Sequence, residues 1–124
     1  MLILTTSEDE ASINRLIDVG AEVLQIERDE FGHMSLTAAV KTLATRGCNE
    51  VLVEAGAELC GALVRRRLVD QLIVYFAPKI LGDGARSMFA LPNILSMEDS
   101  WEYSFHDCAR IGEDLRMTLR ALAC

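Results

Sequence analysis

Apolar positions along the chain come in short runs broken by polar stretches, and the spacing changes from run to run. Leu2-Ile3-Leu4 reads as a buried strand within Met1 to Thr6 that stops at Thr5 and Thr6. Ser7-Glu8-Asp9-Glu10 has the form of a capping box, with Ser7 accepting from the N–H three residues on. Ile13, Leu16 and Ile17 then recur at helical spacing, and Gly20 supplies a left-handed stop. Ala21 to Ile26 predicts a second strand around Val23 and Leu24, and polar Glu27 to Met34 an exposed loop with His33 in solvent. Ser35 is placed to cap a second helix whose face is Leu36, Ala39, Val40 and Leu43, ended by Gly47.

Glu50-Val51-Leu52-Val53 predicts a central strand with Glu54 at its end, then a turn at Gly56 and a helix directing Leu59, Ala62, Leu63 and Val64 at the sheet. The unbroken run Leu72 to Ala77 predicts a strand covered on both faces, closed by Pro78, which has no N–H to give. Lys79 to Ser100, punctuated by Gly82, Gly84, Pro92 and Asn93, shows no period. Trp101, Tyr103 and Phe105 alternate with Glu102, Ser104 and His106. Leu115, Met117, Leu119 and Ala121 alternate with Arg116, Thr118 and Arg120 beyond a turn at Gly112-Glu113-Asp114, so the chain should close in a hairpin. Strand and helix thus succeed each other three times. That order predicts a single α/β domain over residues 1–124, with a mostly parallel sheet, helices on both faces and a C-terminal antiparallel hairpin.

Charge and composition narrow the function. A formal net charge of −7 argues against a nucleic-acid surface. The one basic cluster, Arg65-Arg66-Arg67, falls where cations complement a helix C-terminus and is read as structural. No apolar run approaches the roughly 20 residues that cross a bilayer, so no membrane partner and a cytoplasmic location are expected. Cys48, Cys60, Cys108 and Cys124 lie far apart and the histidines are only His33 and His106, a pattern of core thiols and not of a metal site.

Candidate chemistry gathers at residues 50–63. A strand end bearing Glu54, followed by a glycine turn and a helix start with unpaired backbone N–H groups, is where an α/β sheet binds anionic ligands. Gly56 serving only a tight turn, with Glu54 a solvated carboxylate, fits the same letters equally well.

The succession Val53-Glu54-Ala55-Gly56, Gly61-Ala62-Leu63, Leu68-Val69-Asp70-Gln71-Leu72-Ile73-Val74-Tyr75 and Ala77-Pro78-Lys79-Ile80-Leu81-Gly82, with Gly82-Asp83-Gly84-Ala85-Arg86 after the proline, resembles the reductase domain of the bifunctional riboflavin-biosynthesis deaminase/reductase. The resemblance implies a dihydrofolate-reductase-like three-layer fold. It also implies NADPH-dependent reduction of 5-amino-6-(5-phosphoribosylamino)uracil to its ribitylamino form. Family members carry further strands before the position of Leu2, and often a zinc deaminase domain, so the chain is expected to be the C-terminal part of such a domain with the N-terminal strands missing. Carried over by position, Glu54 becomes a substrate contact. Gly56, Ala57, Glu58, Leu59, Cys60, Gly61 and Ala62 become the turn and helix start against the NADPH phosphates, with Gly56 and Gly61 letting a backbone approach closely and the N–H groups of Ala57 to Cys60 facing outward. Glu58 departs from the small or hydroxyl residue common there and repels a phosphate. No residue stands out as a proton donor, so the catalytic group is unassigned and no metal is implied.

Thr5 or Thr6 is a candidate contact for the adenosine half of the cofactor. Asp70, Lys79 and Trp101 are read as structural. A non-catalytic association module, and a reductase of another substrate on the same fold, remain open beside the main reading. Unpaired strand edges would favour a homo-oligomer or pairing with the missing N-terminal part.

Overall fold

The computed structural model describes residues 1–92 and 96–122. Two compact units emerge, Met1–Leu52 and Val53–Cys124.

In the first unit, strand β1 (Leu2–Thr5) and strand β2 (Glu22–Gln25) pair in parallel, Leu2 opposite Glu22 through Thr5 opposite Gln25. Helix α1 (Glu10–Asp18) makes the crossover, and helix α2 (Leu36–Thr45) follows the loop after β2. Ala21, Ile26 and Ala39 are buried, and Ile13, Leu16, Leu36 and Leu43 half-buried, so each helix turns its predicted apolar face inward. The edges of those faces, Ile17 and Val40, are exposed. In the loop, Asp29 Oδ1 accepts from the N–H groups of Phe31 and His33 at 3.0 and 2.9 Å, which folds the polar segment on itself. Arg28 donates to the carbonyls of Gly32 and Thr6 at 2.7 and 2.8 Å and ties that loop to the end of β1.

The cap of α1 differs from expectation. Asp9, not Ser7, is the N-cap and accepts from Ala11 and Ser12 N–H at 3.1 and 3.4 Å, while Ser7 Oγ accepts only from Asp9 N–H. A carboxylate at the positive end of a helix is the stronger acceptor, so the cap shifts by two residues and the reciprocal bond of a capping box is not made; Asp9 N–H donates to Ser7 Oγ. Ser35 caps α2 as predicted, accepting from Ala38 N–H at 3.3 Å.

The second unit holds helix α3 (Ala57–Arg65), strand β3 (Gln71–Phe76), a 3₁₀ turn (Met97–Asp99), and the hairpin of β4 (Tyr103–Ile111) and β5 (Asp114–Ala121). Its sheet has the order β3-β5-β4 and is antiparallel throughout. Gly20 and Gly47, both at positive φ, close α1 and α2 by paired bonds back to the last turn. In α3, Arg67 takes the same left-handed place at φ 55°, with Arg67 N–H on Val64 O at 2.9 Å and Leu68 N–H on Leu63 O at 3.0 Å.

Four expectations are corrected here. The sheet is not mostly parallel: among the described residues parallel pairing is confined to β1 and β2. The Glu50–Val53 run forms no ladder among the described residues and Leu52 is 77% exposed. A strand exists only with a neighbour to pair its N–H and C=O groups, and a βαβ crossover onto β3 needs that earlier strand in the sheet. β3 is therefore not covered on both faces; Leu72 and Val74 are half-buried while Ile73 and Tyr75 are exposed. The cysteines are not core residues either: Cys48 and Cys108 are exposed, Cys60 is half-buried, and Cys124 lies outside the described residues.

Smaller differences concern the hairpin and α3. β4 starts at Tyr103, and a bulge at His106 shifts the register between Phe105, opposite Leu119, and Asp107, opposite Thr118. Tyr103 and Trp101 are half-buried, but Phe105 on the same face is 78% exposed. In α3, Leu63 and Val64 are buried at 6% and 4% exposure, whereas Leu59 points to solvent. Among the described residues no helix is long and apolar enough to cross a membrane.

Candidate functional site

The start of α3 carries part of the geometry that the sequence anticipates: Gly56 stands before the helix as expected, but the Cys60 amide, expected to face outward, is bonded within the helix. Gly56 is the N-cap in an extended conformation, φ −75° and ψ 172°, and having no side chain it provides no capping bond. The N–H groups of Ala57, Glu58 and Leu59 are thus left without the acceptor that Asp9 and Ser35 supply to the other two helices. Cys60 N–H is already bonded to Gly56 O at 3.1 Å, and the amides of Gly61 and Ala62 lie within the helical ladder. Among the described residues, the N–H groups of Ala57, Glu58 and Leu59 therefore present open donors at the positive end of the helix dipole.

The neighbouring residues hold that turn in place. Cys60 Sγ donates to Ala55 O at 3.4 Å, tying the bend after Glu54 to the helix. Glu54, Ala55 and Gly56 are exposed, as is Glu58 in the first turn, so the bend is open to solvent. An anion arriving there meets three amide donors and one nearby carboxylate. Gly61 has a different environment from the rest: it is buried, and a Cβ on it would lie 2.9 Å from the Ala90 carbonyl carbon and 3.0 Å from its nitrogen. Ala90 N–H in turn donates to Ala57 O at 2.9 Å. The sequence reading gave Gly61 to a close backbone approach at the cofactor; that Ala90 is the neighbour was not read, although a glycine inside a helix, costing about 1 kcal/mol relative to alanine, signals a close contact of some kind.

In the first unit, Thr5 Oγ1 accepts from Ser7 N–H at 3.0 Å, and Thr6 with Gln25 and Arg28 lines a hollow of about 300 Å³. At the other end of α3 a second hollow of about 400 Å³ is lined by Val64, Arg67, Asp70, Trp101, Tyr103 and Arg120 among others. There burial, and then the Asp70 carboxylate, push the Tyr103 phenol above its ordinary pKa.

Among known proteins, the family model described as RibD C-terminal domain matches residues 1–117. The chain belongs to the RibD C-terminal domain family. It is similar to the riboflavin biosynthesis protein RibD of Haemophilus influenzae, 41% identical over 83 residues, which cover 67% of this chain and 22% of that protein. It is also similar to the 5-amino-6-(5-phosphoribosylamino)uracil reductase of Buchnera aphidicola from Acyrthosiphon pisum, 35% identical over 94 residues, 76% of this chain and 45% of that one. Of solved structures, Acinetobacter baumannii RibD superposes with a TM-score of 0.81 at 27% identity, over 98% of this chain and 31% of that chain. A pyrimidine reductase-like protein of Corynebacterium diphtheriae, at 17% identity and a TM-score of 0.78, over 99% of this chain and 50% of that one, shares the fold. The chain therefore spans between about a fifth and a half of the length of these four proteins. Its α/β fold is that of the RibD C-terminal domain.

Proposed function

We propose that this chain is the C-terminal part of a reductase domain that uses NADPH to reduce the ribosyl group of 5-amino-6-(5-phosphoribosylamino)uracil to the ribityl form. The observation that supports it most directly is the uncapped first turn of α3, following Glu54 in a chain of this family. The donor set suits a phosphate: three outward N–H groups and a cap without a side chain, as anion sites at helix starts have. In this reading the N–H groups of Ala57, Glu58 and Leu59 hold a phosphate of the dinucleotide, and the rest of Gly56 to Ala62 shapes the turn. Glu54, exposed on the bend, accepts hydrogen bonds from hydroxyls of the sugar or from the uracil edge and so orients the substrate. The cofactor, when bound, supplies the hydride. A dihydrofolate-reductase-like three-layer arrangement and a cytoplasmic location belong to the same reading.

Titrating the chain with NADPH while following nicotinamide fluorescence tests it. A saturable change that Glu54→Gln leaves intact and that added substrate perturbs only when Glu54 is present supports the reading. No change at millimolar cofactor refutes it.

A second reading, association with a partner, is favoured by a separate observation. Val51, Leu52 and Val53 are all exposed, as are Phe76 and Phe105 on one face of the antiparallel sheet. Large apolar side chains in water favour a homo-oligomer or pairing with an N-terminal part of the domain. Light scattering across a dilution series tests this; a monomer at all concentrations removes the homo-oligomer.

A further inference from the structure

Residue 57 and residue 90 share a hydrogen bond whose position matters more than its strength. The Ala57 carbonyl belongs to the peptide unit whose other end is the Glu58 N–H, the middle one of the three open donors. Within α3 that carbonyl already accepts from Gly61 N–H four residues on. Ala90 N–H donates to it as well, at 2.9 Å. Accepting a second bond at its oxygen fixes the tilt of the peptide plane. It also polarises the unit, which strengthens the N–H at the opposite end as a donor. Only a residue without Cβ at 61 admits the Ala90 backbone at this distance, because a Cβ there would run into the Ala90 carbonyl oxygen and sit 2.9 Å from its carbonyl carbon.

We infer that Gly61 is a positioning residue: it seats the backbone of Ala90 so that the connection before β4 clasps the 57–58 peptide and aims the Glu58 N–H at bound phosphate. This rests on the functional reading above and deepens it. The Ala90–Ala57 bond and the phosphate site are then thermodynamically linked, and each strengthens the other. Gly61, placed by the family resemblance among the cofactor-binding residues, acts on the cofactor through Ala90 and not by touching it.

Hydrogen exchange and NADPH titration of the whole chain, and of its Gly61→Ala and Ala90→Pro variants, test the inference. Ala90→Pro deletes the donor at an exposed position and leaves α3 untouched, so it decides the matter if Gly61→Ala fails to fold by circular dichroism. In the unaltered chain, NADPH is expected to slow exchange at the Glu58 and Ala90 amides together. Both folded variants should bind NADPH about 3- to 10-fold more weakly, as expected for loss of one hydrogen bond of ordinary net strength. Unchanged affinity in Ala90→Pro overturns the inference and leaves the functional reading standing. An unaltered chain that shows no NADPH response overturns both.

Discussion

Replacing Glu58 by threonine should tighten NADPH binding. Glu58 is the second residue of α3, its side chain is exposed, and it stands in the turn whose three N–H groups face outward. A phosphate held by those groups would lie about 5 Å from the carboxylate, and two unit charges at that distance in water repel by about 1 kcal/mol, or roughly fivefold in affinity. The same carboxylate stabilises the helix start by about 0.3–1 kcal/mol through the dipole. That contribution is present in the free and the bound protein alike, so it lowers the variant's melting temperature without cancelling the gain in affinity. Screening gives a second signature. With a Debye length of about 10 Å at 0.1 M salt and about 3 Å at 1 M, the difference between the two proteins should nearly vanish at the higher concentration. Calorimetric titration of both proteins at low and high salt measures it. Equal or weaker affinity of Glu58→Thr at low salt would falsify the placement of the phosphate at this turn.

Three further outcomes follow from packing and titration. Leu63→Ala removes a buried side chain of α3 and should destabilise the second unit by about 2–3 kcal/mol, read as a lower urea midpoint; a loss under about 0.5 kcal/mol would mean the helix is not seated as described. The Asp9 carboxyl is held below its ordinary value, first by the Ser12 hydroxyl and then by backbone N–H groups. Its folded pKa being depressed, the stabilisation is present above the ordinary value of 3.8 and is lost as pH falls through the lower one. Asp9→Asn keeps the cap acceptor and should lose that acid dependence of α1 helicity in circular dichroism. Tyr103 has the opposite sign: its raised pKa makes the contribution complete below 10.0 and lost as pH rises beyond it. Tyr103→Phe should therefore flatten the alkaline end of the stability profile, and an unchanged slope would show that another group governs it.

What could be read from the letters alone was local. Apolar spacing and end signals placed α1, α2, α3 and both strands of the hairpin, because the positions that face inward, the Ser35 cap and the stops at Gly20 and Gly47 are properties of a few neighbouring residues. The pairing of strands is not such a property. Val51-Leu52-Val53 and Leu72 to Phe76 are both β-forming runs, yet one has no ladder among the described residues and the other joins an antiparallel sheet beside β5. A run of apolar residues records that a segment needs cover; which neighbour provides its hydrogen bonds is set by chain far away in sequence. The candidate site divides along the same line. A glycine cap and outward amides from Ala57 to Cys60 were read from the letters; the cap is there, but Cys60 N–H is taken by Gly56 O, since only the first turn of a helix leaves its N–H groups without a partner in the ladder. That Gly61 lies beneath Ala90, 29 positions further on, was decided only when the chain folded back and two backbones came closer than any side chain would allow.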